Sequence, residues 1–356
     1  MVNLVIFNLS IFLLLLVSVI FVGVANNFDQ KFIKHIFSIL VGLVFFILAS
    51  IGIVKIDKVK NYALFLWIFS IFILVLNLFV GTTVNGSRSW IYIGNFSFQP
   101  AELTKLSLVF LFVFLYNLVK EKNVFFFVSL FVVSITILPI FIQPDLGFSV
   151  LLFLSNLIMN YGIGVNGFLV LFVLSGAVFA GSLVMKPYQV ERLTTFLDPY
   201  KDPLGNGWQT IQSVNCIING GIWGQGIGKG MISKLGFLPE KDTDFIFSLI
   251  TEEVGLIGAL FIILLFITLI ICILLVFKNT DKQEYKIISL FVAAVVFIQS
   301  FINVAMNTMS GPITGLPLPL ISYGGTNMVI TLFLLGLINQ INLDIIKSNN
   351  LKKWIE

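Results

Sequence analysis

Long runs of apolar residues, separated by short polar segments, dominate the pattern along this chain. Apart from the sixth, which is short, each run can cross about 30 Å of hydrocarbon as an α-helix, and the alternating pattern of a membrane β-strand is missing. Ten candidate transmembrane helices follow, near residues 4–24, 34–54, 61–80, 101–119, 124–142, 146–160, 166–185, 245–276, 287–310 and 326–346. The pattern therefore predicts an all-α integral membrane protein, with residues 1–356 forming a single polytopic membrane domain.

The composition agrees with this pattern, because 58% of the residues are hydrophobic and only 11% are charged. Such a chain cannot fold as a water-soluble globule. The one long interruption, residues 186–243, separates the seventh and eighth predicted helices. From Lys186 to Asp244 the chain carries 12 of its 38 charged residues, 21 basic and 17 acidic in all. We expect a large loop outside the membrane here.

The basic residues predict the orientation of the chain. With a cytoplasmic N-terminus, only Lys31, Lys34 and Arg88 fall in the short outer loops. The inner segments then hold eleven basic residues: Lys55, Lys58, Lys60, Lys120, Lys122, Lys278, Lys282, Lys286, Lys347, Lys352 and Lys353. Both termini are therefore predicted to be cytoplasmic and the loop 186–243 extracytoplasmic. The first run is interpreted as a retained anchor, since no basic stretch precedes it.

With this orientation, unusual polar residues gather at the extracytoplasmic face. A charge at a water–lipid boundary is costly unless it is paired or used. The sequence therefore predicts a chemical site at this face, built from four separate stretches. Its members are Arg88 and Trp90 in the second outer loop, Glu102 and Lys105 in the fourth helix, Asp145 before the sixth, and Asp244 at the start of the eighth.

Each stretch also has a structural interpretation. Glu102 suits the positive end of a helix and, three residues before Lys105, can simply pair with it. Asp145 can be an N-cap after a proline. Arg88 and Trp90 can be interface anchors. These interpretations stay open alongside the functional one.

Asp244 begins a polar stripe that continues through Ser248 and Glu252 at four-residue spacing. Glu252 is expected about 12 Å deeper, where it needs a cation such as Lys105. The structural alternative is a helix cap plus a buried ion pair. Asp242 is a second candidate for the base, but two residues rotate a helix by about 200°. We therefore expect only Asp244 to face the site.

Other polar features favour structural roles. Gln299, Asn303 and Asn307 form a line on the ninth helix that predicts interhelical hydrogen bonds. The glycine-rich segment 224–230 departs from a phosphate-binding loop, because Gly230 stands where Ser or Thr is required. His35, the single histidine, lies in unremarkable surroundings at the start of the second predicted helix, which argues against a Ser-His-Asp hydrolase. The two cysteines, Cys216 and Cys272, are expected on opposite sides of the bilayer and predict no disulfide.

From about Gly81 onward the chain resembles the SEDS family (shape, elongation, division and sporulation), which contains FtsW and RodA. Six stretches in order carry the resemblance: 86–91, 98–106, 143–147, 198–212, 238–247 and 318–325. The resemblance implies a peptidoglycan glycosyltransferase of the bacterial cytoplasmic (inner) membrane. Such an enzyme polymerises lipid II at the outer face, alongside a class B penicillin-binding protein and other divisome or elongasome membrane proteins.

Carried over by motif, Asp244 falls on the family's proposed catalytic aspartate. The substrate-site positions fall on Glu102, Lys105, Trp90 and Asp145. Two stretches depart from the commoner family pattern, Lys241-Asp242 before Thr243 and Thr326-Asn327 after Gly325. The first departure slightly weakens Asp244 as the base acting alone. The glycan extension that the resemblance implies needs a carboxylate as general base and cations near the departing pyrophosphate. Lys105 and Arg88 are the candidates for these cations. Glu252 is added from the polar stripe.

Several alternatives remain. A lipid II flippase or another transporter is a different functional class, although no internal repeat is visible. A scaffold without chemistry is a third. Division-type and elongation-type members share nearly all these motifs, with the FtsW-like branch slightly favoured. No cofactor is evident and no ligand cluster predicts a metal, although a divalent cation near the pyrophosphate is compatible with the sequence. No nucleic-acid partner is indicated.

Overall fold

The computed structural model describes residues 1–84, 87–94, 96–185, 190, 194–205 and 207–355. The beginning of the predicted outer loop and Gly86 of the first family motif lie outside this part of the chain. The helices are α1 (Val2–Ala25), α2 (Gln30–Ser50), α3 (Ile56–Val59), α4 (Ala63–Val80), α5 (Pro100–Val119), α6 (Lys122–Ile142), α7 (Leu146–Gly162), α8 (Gly167–Val184), α9 (Trp208–Gly220), α10 (Met231–Lys234), α11 (Ile246–Lys278), α12 (Gln283–Asn307) and α13 (Gly325–Ile355).

The predicted spans correspond to helices of the structure. Among the described residues, eight helices are long and apolar enough to cross a membrane, and α7 and α8 are shorter apolar helices. The prediction of a mainly helical, multi-pass membrane protein is therefore confirmed. The boundary of α2 lies four residues earlier than predicted. There the side chain of Asp29 accepts a hydrogen bond from the backbone N–H of Lys31 and so caps the helix at Gln30.

The helices pack around a largely buried α12, which contacts α5, α7, α11 and α13. α2 lies along α13, and α1 lies along α11. By contrast, α4 exposes most of its large apolar side chains, and α2 exposes nearly half of them. In a membrane these exposed faces meet lipid rather than water, which is why a chain of this composition can leave them uncovered.

A small antiparallel sheet between α4 and α5 was not predicted from the sequence. Its strands are β1 (Thr82–Val84), β2 (Ser87–Ile93) and β3 (Phe96–Phe98), in the order β1-β2-β3. Trp90 pairs with Thr82, and Ile91 pairs with Phe98. The β-branched and aromatic residues here suit strands, but a segment this short does not stand out between two long apolar runs. The all-α prediction is corrected to this extent.

α11 is interrupted at Gly255, whose φ of 72° and ψ of −173° are not helical. The segment after α9 fills the interruption. The N–H of Leu256 donates to the carbonyl of Gly221, and the N–H of Gln225 donates to the carbonyl of Glu252. Backbone groups that a helix break leaves without a partner are thereby hydrogen-bonded. The break divides α11 into two parts with different surroundings.

Candidate active site

A cavity of about 870 Å³ lies where α2, β2, α5 and α7 begin or pass, under residues of the segment 195–210. The turn before α11, the segment 313–324 and the first turn of α13 complete its wall. Its charged lining residues, among those described, are Lys31, Lys34, Asp145, Glu240 and Asp244. Both signs of charge therefore face one space at the end of the helix bundle.

Asp244 lies in the turn before α11 and lines the cavity half-buried. Two amides of α12 hold its backbone, because Asn303 Nδ2 and Asn307 Nδ2 donate to the Asp244 carbonyl at 3.0 and 2.9 Å. The Ser322 hydroxyl donates to the carbonyl of the preceding Thr243 at 2.5 Å. The main chain at Thr243 and Asp244 is thus held by α12 and by the segment before α13.

The polar line on α12 makes the interhelical hydrogen bonds that the sequence predicted. Asn307 Oδ1 accepts from both the N–H and the hydroxyl of Ser248, at 3.0 and 2.7 Å. Ser248 also lies 2.6 Å from the Ser213 hydroxyl of α9. The middle of the predicted stripe therefore joins α9, α11 and α12 rather than facing the cavity.

Asp242 is placed differently from Asp244, as predicted, but both residues lie in the turn before α11, so the helical rotation behind that prediction does not apply. It is buried and does not line the cavity. Its carboxylate is 3.4 Å from the ammonium of Lys31, and its carbonyl accepts the N–H of Tyr323 at 2.8 Å. Asp242 therefore links α2 to the segment before α13.

Glu102 and Lys105 form a buried ion pair, with Nζ and Oε2 2.9 Å apart. Lys105 Nζ also donates to Gln299 Oε1 at 2.9 Å and to Asn327 Oδ1 at 3.5 Å. Neither charged side chain lines the cavity, but Asn327 does. The pair therefore lies directly behind the cavity wall, in the arrangement that the structural interpretation described.

Glu252 does not pair with Lys105 and does not line the cavity, contrary to the expectation from the stripe. Its buried carboxylate accepts from Asn219 Nδ2 at 2.9 Å and from the backbone N–H groups of Ile232 and Ser233 at 2.8 and 3.0 Å. The chain folds back through α9 and brings the start of α10 onto the carboxylate. Two backbone N–H groups and one side-chain amide replace the cation that the sequence predicted.

Arg88 also departs from its expected place. Its guanidinium donates to the carbonyl of Leu78 at 2.8 Å, in the last turn of α4, and it does not line the cavity. The unpaired carbonyls at a helix C-terminus attract a cation. Trp90 and Asp145 do line the cavity, and Asp145 also caps α7 through the N–H of Phe148 at 3.0 Å. Asp145 therefore caps a helix and lines the cavity at the same time.

Sequence reasoning missed several lining residues, chiefly Lys31, Lys34, Glu240, Trp208 and Tyr323. The two lysines occupy the first turns of α2, three residues apart, which places them on one helical face. That spacing at the expected outer end of an apolar run was the available signal. Burial raises the pKa of Tyr323, so its hydroxyl stays a neutral donor at neutral pH.

Metal binding at this cavity depends on the ligands that its lining supplies. Within the described ranges, no group of three or more His, Cys, Asp or Glu side chains is arranged to hold a metal ion. Among the described residues, the carboxylates that line the cavity are those of Asp145, Glu240 and Asp244. A divalent cation beside the pyrophosphate therefore stays a prediction.

Comparisons with known proteins bear on the whole chain. The family model described as "Cell cycle protein", which covers FtsW, RodA and SpoVE, matches residues 1–345. Stage V sporulation protein E of Bacillus subtilis (strain 168) is 35% identical over 314 residues, 83% of this chain and 84% of the relative. The probable peptidoglycan glycosyltransferase FtsW of Wigglesworthia glossinidia brevipalpis is 34% identical over 305 residues, 81% and 77% of the two chains.

Solved structures agree. One chain, from work described as "Structural coordination of polymerization and crosslinking by a peptidoglycan synthase complex", matches with a TM-score of 0.78 and 26% identity, covering 95% of this chain and 97% of that one. The rod shape determining protein RodA of Thermus thermophilus shares the fold with a TM-score of 0.70 at 22% identity, covering 95% and 96%. The chain therefore belongs to the FtsW, RodA and SpoVE family of cell cycle proteins.

Proposed function

We propose that this protein polymerises lipid II into glycan strands at the outer face of the bacterial cytoplasmic membrane. The chain is a peptidoglycan glycosyltransferase, the class named for several of its curated relatives. The observation that carries the finer proposal is the position of Asp244. Its half-buried carboxylate shares one cavity with two lysine ammonium groups, on a backbone held by Asn303 and Asn307.

The proposed reaction forms a bond between a sugar hydroxyl oxygen and the anomeric carbon of the donor. The bond from that carbon to the pyrophosphate oxygen breaks, and the lipid pyrophosphate leaves with the electron pair. Asp244 takes the proton of the attacking hydroxyl. Lys31 and Lys34 are the cations available to stabilise the negative charge on the leaving group. They replace Arg88 and Lys105 in this part of the proposal.

The remaining predicted site residues are assigned supporting roles. Trp90 and Trp208 line the cavity and offer apolar faces against which a sugar ring can pack. Asp145 can accept a sugar hydroxyl while it caps α7. Glu102 and Lys105 support the cavity wall from behind, where Lys105 donates to Asn327. A divalent cation would be bound by the pyrophosphate oxygens together with Asp145 or Glu240.

The proposal extends to partners and to the cellular process. The solved relative comes from a complex that couples polymerisation to crosslinking, which supports a class B penicillin-binding protein as the partner of this chain. We favour a division-type, FtsW-like role over an elongation-type, RodA-like one. Restoring growth in cells depleted of FtsW, and not in cells depleted of RodA, would support this choice, whereas the reverse pattern would overturn it.

The proposal requires the cavity to face the exterior, with both termini in the cytoplasm. A membrane-impermeant thiol reagent should label Lys201→Cys from outside intact cells, and Lys282→Cys only after the cells are opened. Cys216 was the natural probe in the predicted outer loop. It is fully buried in α9 and therefore cannot report on sidedness. Labelling in the opposite order would contradict the proposed orientation.

The direct test is polymerisation of labelled lipid II by the purified protein, with and without its transpeptidase partner. Glycan strands should form, and they should be lost in Asp244→Asn. The same preparations in vesicles can be assayed for movement of lipid II across the bilayer. Translocation by a protein that never makes glycan would favour the flippase alternative and overturn the polymerase proposal.

A further inference from the structure

The two parts of α11 differ in what surrounds them. From Ile246 to Glu253 every residue is buried, but beyond the break at Gly255 the helix exposes Leu256, Ile257, Leu260 and Phe261. Exposed apolar residues continue as far as Leu275. A helix from Leu256 to Phe277 is about 33 Å long, which matches one hydrocarbon layer. Contact with lipid therefore begins at the break.

The neighbouring helix α1 gives an independent estimate of this level. Asn3 Nδ2 donates to the carbonyl of Cys272, so these two residues lie at the same height in the antiparallel pair α1 and α11. Ala25 is then about 33 Å away along α1, and Gly255 is about 26 Å away along α11. The break lies within about two helical turns of the end of α1, near the edge of the hydrocarbon.

The segment 218–231 meets α11 at this level and shows an apolar surface outside the spanning helices. Trp223 is 80% exposed. The N–H groups of Leu256 and Ile257 donate to the carbonyls of Gly221 and Ile222, at 2.9 and 3.3 Å. The exposed side chains of the segment are Ile218, Ile222, Trp223, Ile227 and Met231. They continue the lipid-facing surface of α11.

We propose that the segment 218–231 is an interfacial membrane anchor, whose ligand is the boundary between acyl chains and headgroups. Tryptophan favours this zone because its ring is apolar while its N–H can remain hydrated. The exposed Lys229 and the nearby exposed Lys234 suit the phosphates of anionic lipids. Continuity with the exposed face of α11 selects lipid over a protein as the occupant.

The proposed anchor affects the cavity, because backbone hydrogen bonds and a close approach of two backbones join it to α11. The N–H of Gly226 donates to the carbonyl of Glu253 at 2.8 Å, while the Glu252 carboxylate accepts from α10. Gly224 has no room for a side chain, since an added Cβ would meet the carbonyl of Glu253. The start of α11 is about 14 Å from the break. Anchoring the segment therefore fixes the height of Asp244 above the hydrocarbon.

Fluorescent probes at two exposed positions test the anchor on the full chain. An environment-sensitive fluorophore is attached to Trp223→Cys and, as the matched control in the same outer loop, to the exposed Lys201→Cys. The unsubstituted chain reports any labelling of the two buried cysteines. Vesicles of phosphatidylglycerol and phosphatidylethanolamine carry bromine either near the glycerol end or near the methyl end of the acyl chain.

The probe at 223 should emit at shorter wavelength than the probe at 201. Bromine near the glycerol end should quench the probe at 223 more strongly than bromine near the methyl end. Iodide, present on both sides of the vesicle, should quench the probe at 223 less than the probe at 201. Equal iodide quenching at both positions would show that the apolar surface of 218–231 lies in water, where it could bind a protein instead. Stronger quenching at 223 by the deeper bromine would place the segment inside the acyl region. Either result overturns an interfacial anchor.

Discussion

Two polar regions lie side by side at one end of this protein. One lines the cavity, and the other is buried behind the cavity wall. In the cavity, Asp244 and Lys34 line open space of about 870 Å³. Behind the wall, Glu102 and Lys105 are fully buried and 2.9 Å apart, with Gln299 and Asn327 on the ammonium. A substrate can reach the first pair of residues but not the second.

The comparison shows that a charge in a membrane helix can be retained for two reasons. Glu102 and Lys105 offset each other, and removing one leaves the other buried without a counter-charge. Asp244 lines the cavity on a main chain held by Asn303 and Asn307, and we propose that its carboxylate takes a proton from the substrate. Substitutions in the cavity should therefore change the rate of polymerisation, whereas substitutions in the buried pair should change the stability of the folded protein. Four predictions test this division.

The largest effect is expected at Asp244. Substitution by Asn keeps the size and removes the ability to take up a proton at neutral pH. Polymerisation by Asp244→Asn should fall by about 10²–10⁴-fold, the usual contribution of a general base. Thermal unfolding should stay near that of the wild type. Asp281→Asn, at an exposed position between α11 and α12, is the matched control and should change neither. Near-normal glycan synthesis by Asp244→Asn would exclude it as the base.

Lys105→Met should act mainly on folding. It leaves the Glu102 carboxylate buried and unpaired, which typically costs about 3–5 kcal/mol. Denaturation of the purified protein should show this loss, with activity falling in proportion to the folded fraction. Lys120→Met, at the far end of α5, should have little effect. Adding Glu102→Gln should restore part of the stability. If the double variant were no more stable than Lys105→Met, the unpaired charge of Glu102 would not be the cause of the lost stability.

Asn307 is buried but supports a residue of the cavity, because its side chain donates to the Asp244 carbonyl. Asn307→Ala removes this support without changing a residue of the cavity wall. The free energy of unfolding should fall by about 1–3 kcal/mol, since Ser248 N–H and the Asp244 carbonyl lose a buried partner. The kcat should decrease while the KM for lipid II changes little. Asn160→Ala removes buried hydrogen bonds to Ser129 and Asn156 in α6 and α7. It should lose stability with an unchanged kcat, so equal kcat values for both variants would make Asn307 purely structural.

The smallest effect is expected at Lys34, an exposed lysine on the cavity wall. Lys34→Gln should raise the KM for lipid II by up to about fivefold, because exposed ion pairs contribute only about 0.2–1 kcal/mol. The dependence of KM on salt should become shallower. Lys120→Gln carries the same charge change at the other end of the bundle. Identical salt dependence in the two variants would remove Lys34 from the pyrophosphate site.

The sequence determined the membrane class, because long apolar runs in water have no stable alternative to insertion as helices. It also brought Trp90, Asp145 and Asp244 to one face through helix order alone, and the structure places all three on one cavity. The line of amides on α12 was readable because hydrogen-bonding groups at helical spacing require partners on neighbouring helices.

Only the tertiary structure decided which charges reach the cavity. Glu252 and Lys105 looked like partners from their expected depths, but the break at Gly255 and the returning segment gave Glu252 backbone donors instead. Arg88 turned to the carbonyl of Leu78, and Lys31 and Lys34 took the places facing the cavity. The direction of a side chain depends on contacts between segments far apart in the chain. Helical spacing gives height and face on one helix, whereas packing sets what that face meets.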